Sequence, residues 1–397
     1  MVPFHTFLCK VHSRCNIDCD YCYMYHAADQ SWRNQPKLMS EPVVRQTAQR
    51  IREHLVHHGK LATHIILHGG EPLLAGPRYL RRFMQTMKEV VGEVATVSFG
   101  IQSNGILITG DLIEICQQYG ATIGISLDGP KWVNNIHRRD HRNLATYDRV
   151  EQGIEILLAT DRRVFAGFLC TICLEADPLE VFHHLLRFNP PSIDFNYPLG
   201  NYDAPPPGRP PHTAQTPYAD WLIPVFDEWY ETRPVTVRIR KFYDLIRLML
   251  GARSSVENFG LSEIDFVVIE TNGALEGVDT LKATYQGAPS IGLNVFDHSF
   301  DEALNCPSIL ARQQGLAALC DTCQQCPLVN ICGGGYLPHR YHAETGFMNP
   351  DIYCPDHQRL IRHIQRRVRA DLKSTATARI GATPSSSPPR QSSTLTS

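Results

Sequence analysis

The chain has 397 residues, 43% hydrophobic and 20% charged. That composition excludes wholesale disorder, and 38 basic against 40 acidic residues (net charge −2) gives no general affinity for nucleic acid or an anionic membrane. No apolar run approaches the ~20 residues of a membrane span, and Met1 to Cys9 lacks the signals of a secretory leader, so a cytoplasmic, reduced protein of two or three domains is expected.

Residues 4–11 read as a short buried strand, and a cysteine-rich loop follows. Val44, Ala48, Ile51 and Leu55 have helical spacing within 41–58. A strand at 63–67 runs into His68-Gly69-Gly70-Glu71-Pro72, and 78–91 is helical. A strand at 96–102 ends in Ser103-Asn104-Gly105, and Thr109 caps a helix to Tyr119. The strand 121–127 ends in Asp128-Gly129-Pro130; helix 147–158, strand 164–173, helix 178–188 and strand 192–197 follow. Such alternation predicts a parallel sheet with crossover helices, and either a doubly wound sheet or a β/α barrel gathers its ligand loops at the strand C-termini.

Residues 203–217 hold six prolines and read as an exposed loop or linker. Helices at about 217–232 and 239–251 precede a Cys- and Gly-rich region, 264–360, with strand signals at 266–270 and 291–295. Residues 374–397, rich in Ser, Thr and Pro, read as a disordered tail.

Thirteen cysteines are present, three within 15–22 and five within 306–332, with Cys354 beyond. In a large chain without a leader, this clustering favours metal or iron–sulfur ligation over disulfides. Cys15-x3-Cys19-x2-Cys22 offers three thiolates on one loop, one short of the four that hold an all-protein [4Fe–4S] cube. A zinc site completed by His12 or His26 is the plainer alternative, although zinc prefers paired ligands in closed tetrahedra. Cys9, Cys116, Cys170 and Cys173 lie in apolar patterns and read as buried hydrophobes.

Cys15-x3-Cys19-x2-Cys22, with Tyr21 before its last thiol, resembles the signature of the radical S-adenosylmethionine (SAM) superfamily. The loops Gly69-Gly70-Glu71-Pro72, Gln102-Ser103-Asn104-Gly105 and Ser126-Leu127-Asp128-Gly129-Pro130 follow in that family's order. The resemblance implies that SAM chelates the open iron and is cleaved to a 5′-deoxyadenosyl radical. Gly70 and Glu71 would receive its amino group, Asn104 would lie near the ribose, and Ser126 and Arg138 would hold its carboxylate. Taken singly, Asn104 and Ser126 serve equally as turn formers.

Cys323-x2-Cys326-x5-Cys332, with Cys354 further on, resembles the auxiliary-cluster domain called SPASM, with a zinc ribbon as the plainer reading. Tyr336 and Val278 stand where further cysteines are usual, so one auxiliary [4Fe–4S] cluster is expected on Cys323, Cys326, Cys332 and Cys354; Cys306 and Cys320 leave a second open. Asp279 matches an aspartate that acts as base in sulfatase-maturing relatives, or is an ordinary turn residue.

The runs Lys10 to Cys15, Tyr23 to Arg33, His68 to Gly76, Glu276 to Lys282 and Cys332 to Arg340 resemble the FxsB-type radical SAM/SPASM peptide maturases, over about residues 4–365. The resemblance implies a partial (β/α)6 TIM-type barrel over 1–235, with 203–217 as an insert. A helical bridge over 236–263, a SPASM-like domain over 264–360 and a helix end over 361–373 would follow. It further implies a ribosomally made precursor peptide as substrate, an aromatic-carbon to Cβ crosslink (a three-residue cyclophane) as product, and a reductant such as flavodoxin or ferredoxin. The competing readings are a formylglycine-generating sulfatase maturase and a non-catalytic metal-binding scaffold.

Overall fold

In the computed structural model, which describes residues 1–232, 235–254 and 256–381 (backbone alone from 374), the six expected strands pair in chain order. They are β1 (Thr6–His12), β2 (Ala62–Gly69), β3 (Thr96–Ser103), β4 (Ala121–Ser126), β5 (Phe165–Thr171) and β6 (Ser192–Asn196), each parallel to the next. Parallel neighbours need crossovers. These are α1 (Glu41–His57), α2 (Pro77–Val90), α3 (Gly110–Tyr119), the short α4 (Lys131–His137) with α5 (Tyr147–Thr160), and α6 (Pro178–Leu186). Thr109 caps α3 by accepting from the Leu112 amide.

Register decides which side chains share a face. Cys9, Leu67, Ile101, Ile123 and Phe165 form one buried row. The adjacent positions Lys10, His68 and Gln102 fall on the opposite face, near the strand C-termini. The expected buried thiols Cys9, Cys116, Cys170 and Cys173 are all buried.

Helix α7 (Pro217–Glu231) leads to β7 (Arg238–Ile239), which pairs with β6, and to α8 (Arg240–Met249). The chain then returns to the other edge of the sheet. There β8 (Phe266–Ile269) pairs parallel with β1, and β9 (Ala274–Glu276) and β10 (Ser290–Asn294) continue antiparallel. The result is one open ten-stranded sheet, β10-β9-β8-β1-β2-β3-β4-β5-β6-β7. The Cys-rich region therefore begins inside the barrel sheet. Beyond it lie α9 (Phe300–Leu304), α10 (Pro307–Ala311), α11 (Asp321–Gln324), α12 (Val329–Cys332) and α13 (Cys354–Gly381). No helix among the described residues is long and apolar enough to cross a membrane.

Two expectations need correction. The Pro-rich stretch 203–217 is not simply exposed. Arg209 is 2% exposed and lies 3.0 Å from the carboxylate of Asp356, itself fully buried in α13. Arg209 also donates to the carbonyls of Thr213 and Gln215, and Asp356 accepts from the Tyr218 and Ala219 amides. One cation thus fastens a proline loop that cannot form its own backbone ladder. Removing it strands a buried carboxylate, so Arg209→Ala is expected to lower unfolding stability by about 3–5 kcal/mol in urea titration. Second, α13 runs on to Gly381, through part of the expected tail. Ala376, Ala378 and Arg379 favour a helix, and Gly381 is a common stop; residues 382–397 lie outside the described residues.

Candidate active site

Lys10 and His12 close β1, and the cysteine loop leaves the sheet at its C-terminal edge. Neighbouring loops brace it. Asp18 and Asp20 amides donate to the carbonyls of Arg139 and His137, His141 Nε2 contacts the Cys15 carbonyl at 3.0 Å, and Asn104 Nδ2 donates to Asn16 Oδ1 at 2.7 Å and approaches Cys15 Sγ at 3.7 Å. The Gly69-Gly70 pair is required because the loops nearly touch. A Cβ on Gly70 would lie 2.6 Å from the Arg14 backbone, and one on Gly69 2.2 Å from the His12 carbonyl oxygen.

Glu71 is buried, and its carboxylate accepts from the Leu73 amide (2.9 Å), Ser103 Oγ (2.9 Å) and the Asn104 amide (2.7 Å). Burial lifts it to about 7 against these donors. Glu71 therefore ties the loops after β2 and β3 together, whatever else it binds. Gln102 Nε2 donates to Ser126 Oγ at 3.0 Å.

Arg138 is buried and donates to the Tyr21 hydroxyl at 2.8 Å; that hydroxyl donates to Asp128 at 2.5 Å, whose other oxygen accepts from the Thr171 amide. Burial opposes the guanidinium charge, yet Cys19, Tyr21 and Asp128 hold its pKa well above the usual arginine value. Its Nε is buried without a hydrogen-bond partner, leaving a donor for an incoming anion. The linear motifs give Asp128 and Gln102 no role; the signal that points to them is their nearness to Ser126 and Ser103.

Asp279, also buried, sits in a group the linear motifs did not reveal. Tyr23 donates to it at 2.8 Å, and the Lys10 ammonium lies 4.0 Å away while bonding Glu270 (2.8 Å) and Glu276 (2.6 Å). Lys282 joins Glu276 to Asp29 at 3.3 and 2.9 Å. Burial alone would raise the Asp279 carboxyl, but Lys10, His68 and Tyr23 outweigh it and hold the group below the usual carboxylate range. Tyr23 follows Cys22 and His68 precedes the glycine turn, so this anion lies between the two loops that frame the cysteine triad.

The second cysteine cluster forms around Asp351. Its carboxylate accepts from the Tyr336 and Tyr353 amides at 2.8 and 2.7 Å, and its carbonyl accepts from the Cys354 amide. This folds the Gly-rich turn after Cys332 onto the start of α13, bringing Cys323, Cys332 and Cys354 into mutual electrostatic range. Cys306 stands apart at the start of α10, its Sγ directed to the Glu302 carbonyl. Where a further cysteine is usual, the Tyr336 hydroxyl pairs with Thr280 Oγ1 at 2.5 Å.

The donor sets fit iron–sulfur clusters. Burial pushes Cys15, Cys22 and Cys323 up to about 12, so their thiolates call for a metal counter-charge. Among the described residues no three thiols lie within 4.8 Å of one another, whereas ~2.3 Å Zn–S bonds in a tetrahedron would hold sulfurs about 3.8 Å apart.

Residues 10–186 match the radical SAM superfamily. The cysteine-type anaerobic sulfatase-maturating enzyme of Clostridium perfringens (strain 13 / Type A) is 23% identical over 377 residues, 90% of this chain and 95% of the relative. The solved structure of native anSMEcpe with bound AdoMet superposes with TM-score 0.78 at 22% identity, covering 92% of this chain and 98% of that one. SuiB of Streptococcus suis, bound to precursor peptide SuiA, gives TM-score 0.56 at 14% identity over 89% and 76%. The fold is that of an α/β radical SAM domain with a Cys-rich SPASM-type C-terminal region. The chain is an enzyme, and its cofactors are a [4Fe–4S] cluster and SAM.

Proposed function

We propose that this enzyme joins an aromatic ring carbon to the β-carbon of a nearby residue in a ribosomally made precursor peptide. The observation that carries the reading is Asp279, an ionised carboxylate held between the cysteine loop and the Gly69-Gly70 loop by Tyr23 and Lys10. When bound, the cluster and SAM supply a 5′-deoxyadenosyl radical able to take hydrogen from an unactivated C–H bond. Cys15, Cys19 and Cys22 would hold that cluster. Gly70 and Glu71 would face the amino group of SAM, Asn104 its ribose, and Ser126 with Arg138 its carboxylate, while Tyr21 positions Arg138. The free Arg138 Nε supports this assignment.

After hydrogen loss and carbon–carbon bond formation, the ring must lose one proton and one electron to regain aromaticity. Asp279 would take the proton. Cys323, Cys326, Cys332 and Cys354 would hold a single auxiliary cluster, and the Tyr336–Thr280 pair filling the neighbouring position supports one rather than two. An electron donor such as flavodoxin or ferredoxin completes the requirements.

The second reading, maturation of a sulfatase Cys or Ser to formylglycine, is favoured by the likeness to a sulfatase-maturating enzyme over 95% of that relative's length. A synthetic peptide ending in a Phe-x-Ser segment and a cysteine-bearing sulfatase-type peptide, each incubated with reduced enzyme and SAM, separate the two. The crosslink reading expects the first peptide to become two hydrogens lighter and inert to a hydrazide probe. A hydrazide-reactive carbonyl on the second, with the first unchanged, overturns it.

A further inference from the structure

Helix α1 ends in His54 and His57, with His58 as its C-cap, and all three rings turn one nitrogen toward Asp301 in the first turn of α9. His54 Nδ1 and His58 Nε2 lie 2.5 and 2.8 Å from Asp301 Oδ1, and His57 Nδ1 lies 2.7 Å from Oδ2. The ligand atoms of His54, His58 and Asp301 all lie within 4.8 Å of one another; among the described residues no other group of three His, Cys, Asp or Glu converges so closely. Since α1 runs into β2, the group sits at the strand N-termini, opposite the cysteine loop.

His54 is 1% exposed, packed between Phe4 and Phe300 with ring centroids 5.6 and 6.2 Å away. Its Nε2 is buried without a partner of hydrogen-bond geometry. Were Nδ1 to carry the proton for Asp301, Nε2 would keep a lone pair in this apolar pocket with no donor to meet it. The other neutral tautomer carries its proton on Nε2. That tautomer points the Nδ1 lone pair at a carboxylate oxygen, an arrangement that calls for a cation between them.

We propose that His54 Nδ1, His58 Nε2 and Asp301 Oδ1 form a site for a divalent transition-metal ion of the zinc class. His57 donates to the second Asp301 oxygen and orients the carboxylate, as partners of metal-bound carboxylates do. Two imidazoles and a carboxylate are a zinc-type donor set with room for a water as fourth ligand. Helical i, i+4 spacing puts both imidazoles on one face of α1. The N···O contacts must widen to about 3.3 Å around bonds of ~2.0 Å, and Asp301 can move because its side chain is 30% exposed on a five-residue helix. The ion clamps the first crossover helix to the segment after β10 and has no part in the radical chemistry.

The test uses untagged holoenzyme, fully loaded with iron, dialysed anaerobically against zinc. Bound zinc is counted, and its surroundings are read by zinc-edge X-ray absorption. About one zinc per chain is expected, with a nitrogen/oxygen-only shell showing imidazole scattering. His58→Gln and Asp301→Asn should each lower bound zinc at least tenfold, with iron content and 5′-deoxyadenosine formation unchanged. No zinc on the wild type, sulfur in the zinc shell, or full zinc retention in both variants overturns the proposal.

Discussion

Asp279→Asn is expected to lower peptide product by about 10²-fold or more while 5′-deoxyadenosine continues to form. The amide can still accept from Tyr23, so the local packing survives, but it cannot take a proton. Loss of product with retained SAM cleavage therefore separates proton transfer from assembly of the radical site. A merely structural role would lower both together, and unchanged product would remove Asp279 from the chemistry. The pH dependence has a defined sign. Lys10, His68 and Tyr23 hold the carboxyl below its usual range against burial, so it stays ionised above that range. Product formation should not fall through Asp279 titration between about pH 6 and 8, and any loss belongs on the acid side, below its ordinary pKa of ~3.9. Chromatographic assay of both products across that range checks this.

Replacing Cys15, Cys19 and Cys22 together with Ala is expected to abolish 5′-deoxyadenosine formation and remove one cluster's iron and sulfide, leaving the auxiliary cluster in place. The two cysteine groups are held independently. The first is braced by Asn104 and the 137–141 segment, the second by Asp351 and the start of α13. Anaerobic reconstitution followed by iron and sulfide counting reads the loss. Wild-type protein that takes up zinc at these thiols in place of iron would contradict the cluster assignment, as would SAM cleavage by the triple variant.

Much of the fold was legible because strands and crossover helices write themselves as local periodicity. Val97, Phe99 and Ile101 alternate with Ser98, Gly100 and Gln102, and Thr109 marks the start of the next helix. The N-terminal triad was equally legible, since three thiols within eight residues need no tertiary fold to be neighbours. The same holds for Tyr21 and Cys22, and for Glu71 and the glycines before it.

Other features were invisible to a linear reading. Lys10 looks like one more strand residue, yet its ammonium meets Glu270 and Glu276 because β8 docks on the open edge of β1. Arg209 looks like a charge in an exposed proline loop, yet it meets Asp356, nearly 150 positions away, in a buried pair. Composition marks a boundary where cysteines begin, but strand pairing crosses it. By itself, then, the sequence determined the element types, their order and the closeness of the three thiols at Cys15, Cys19 and Cys22, all set by short-range spacing and side-chain chemistry. The tertiary structure alone decided which buried charges face one another, because long-range pairing follows from sheet register and loop closure, and those depend on what the whole chain buries together.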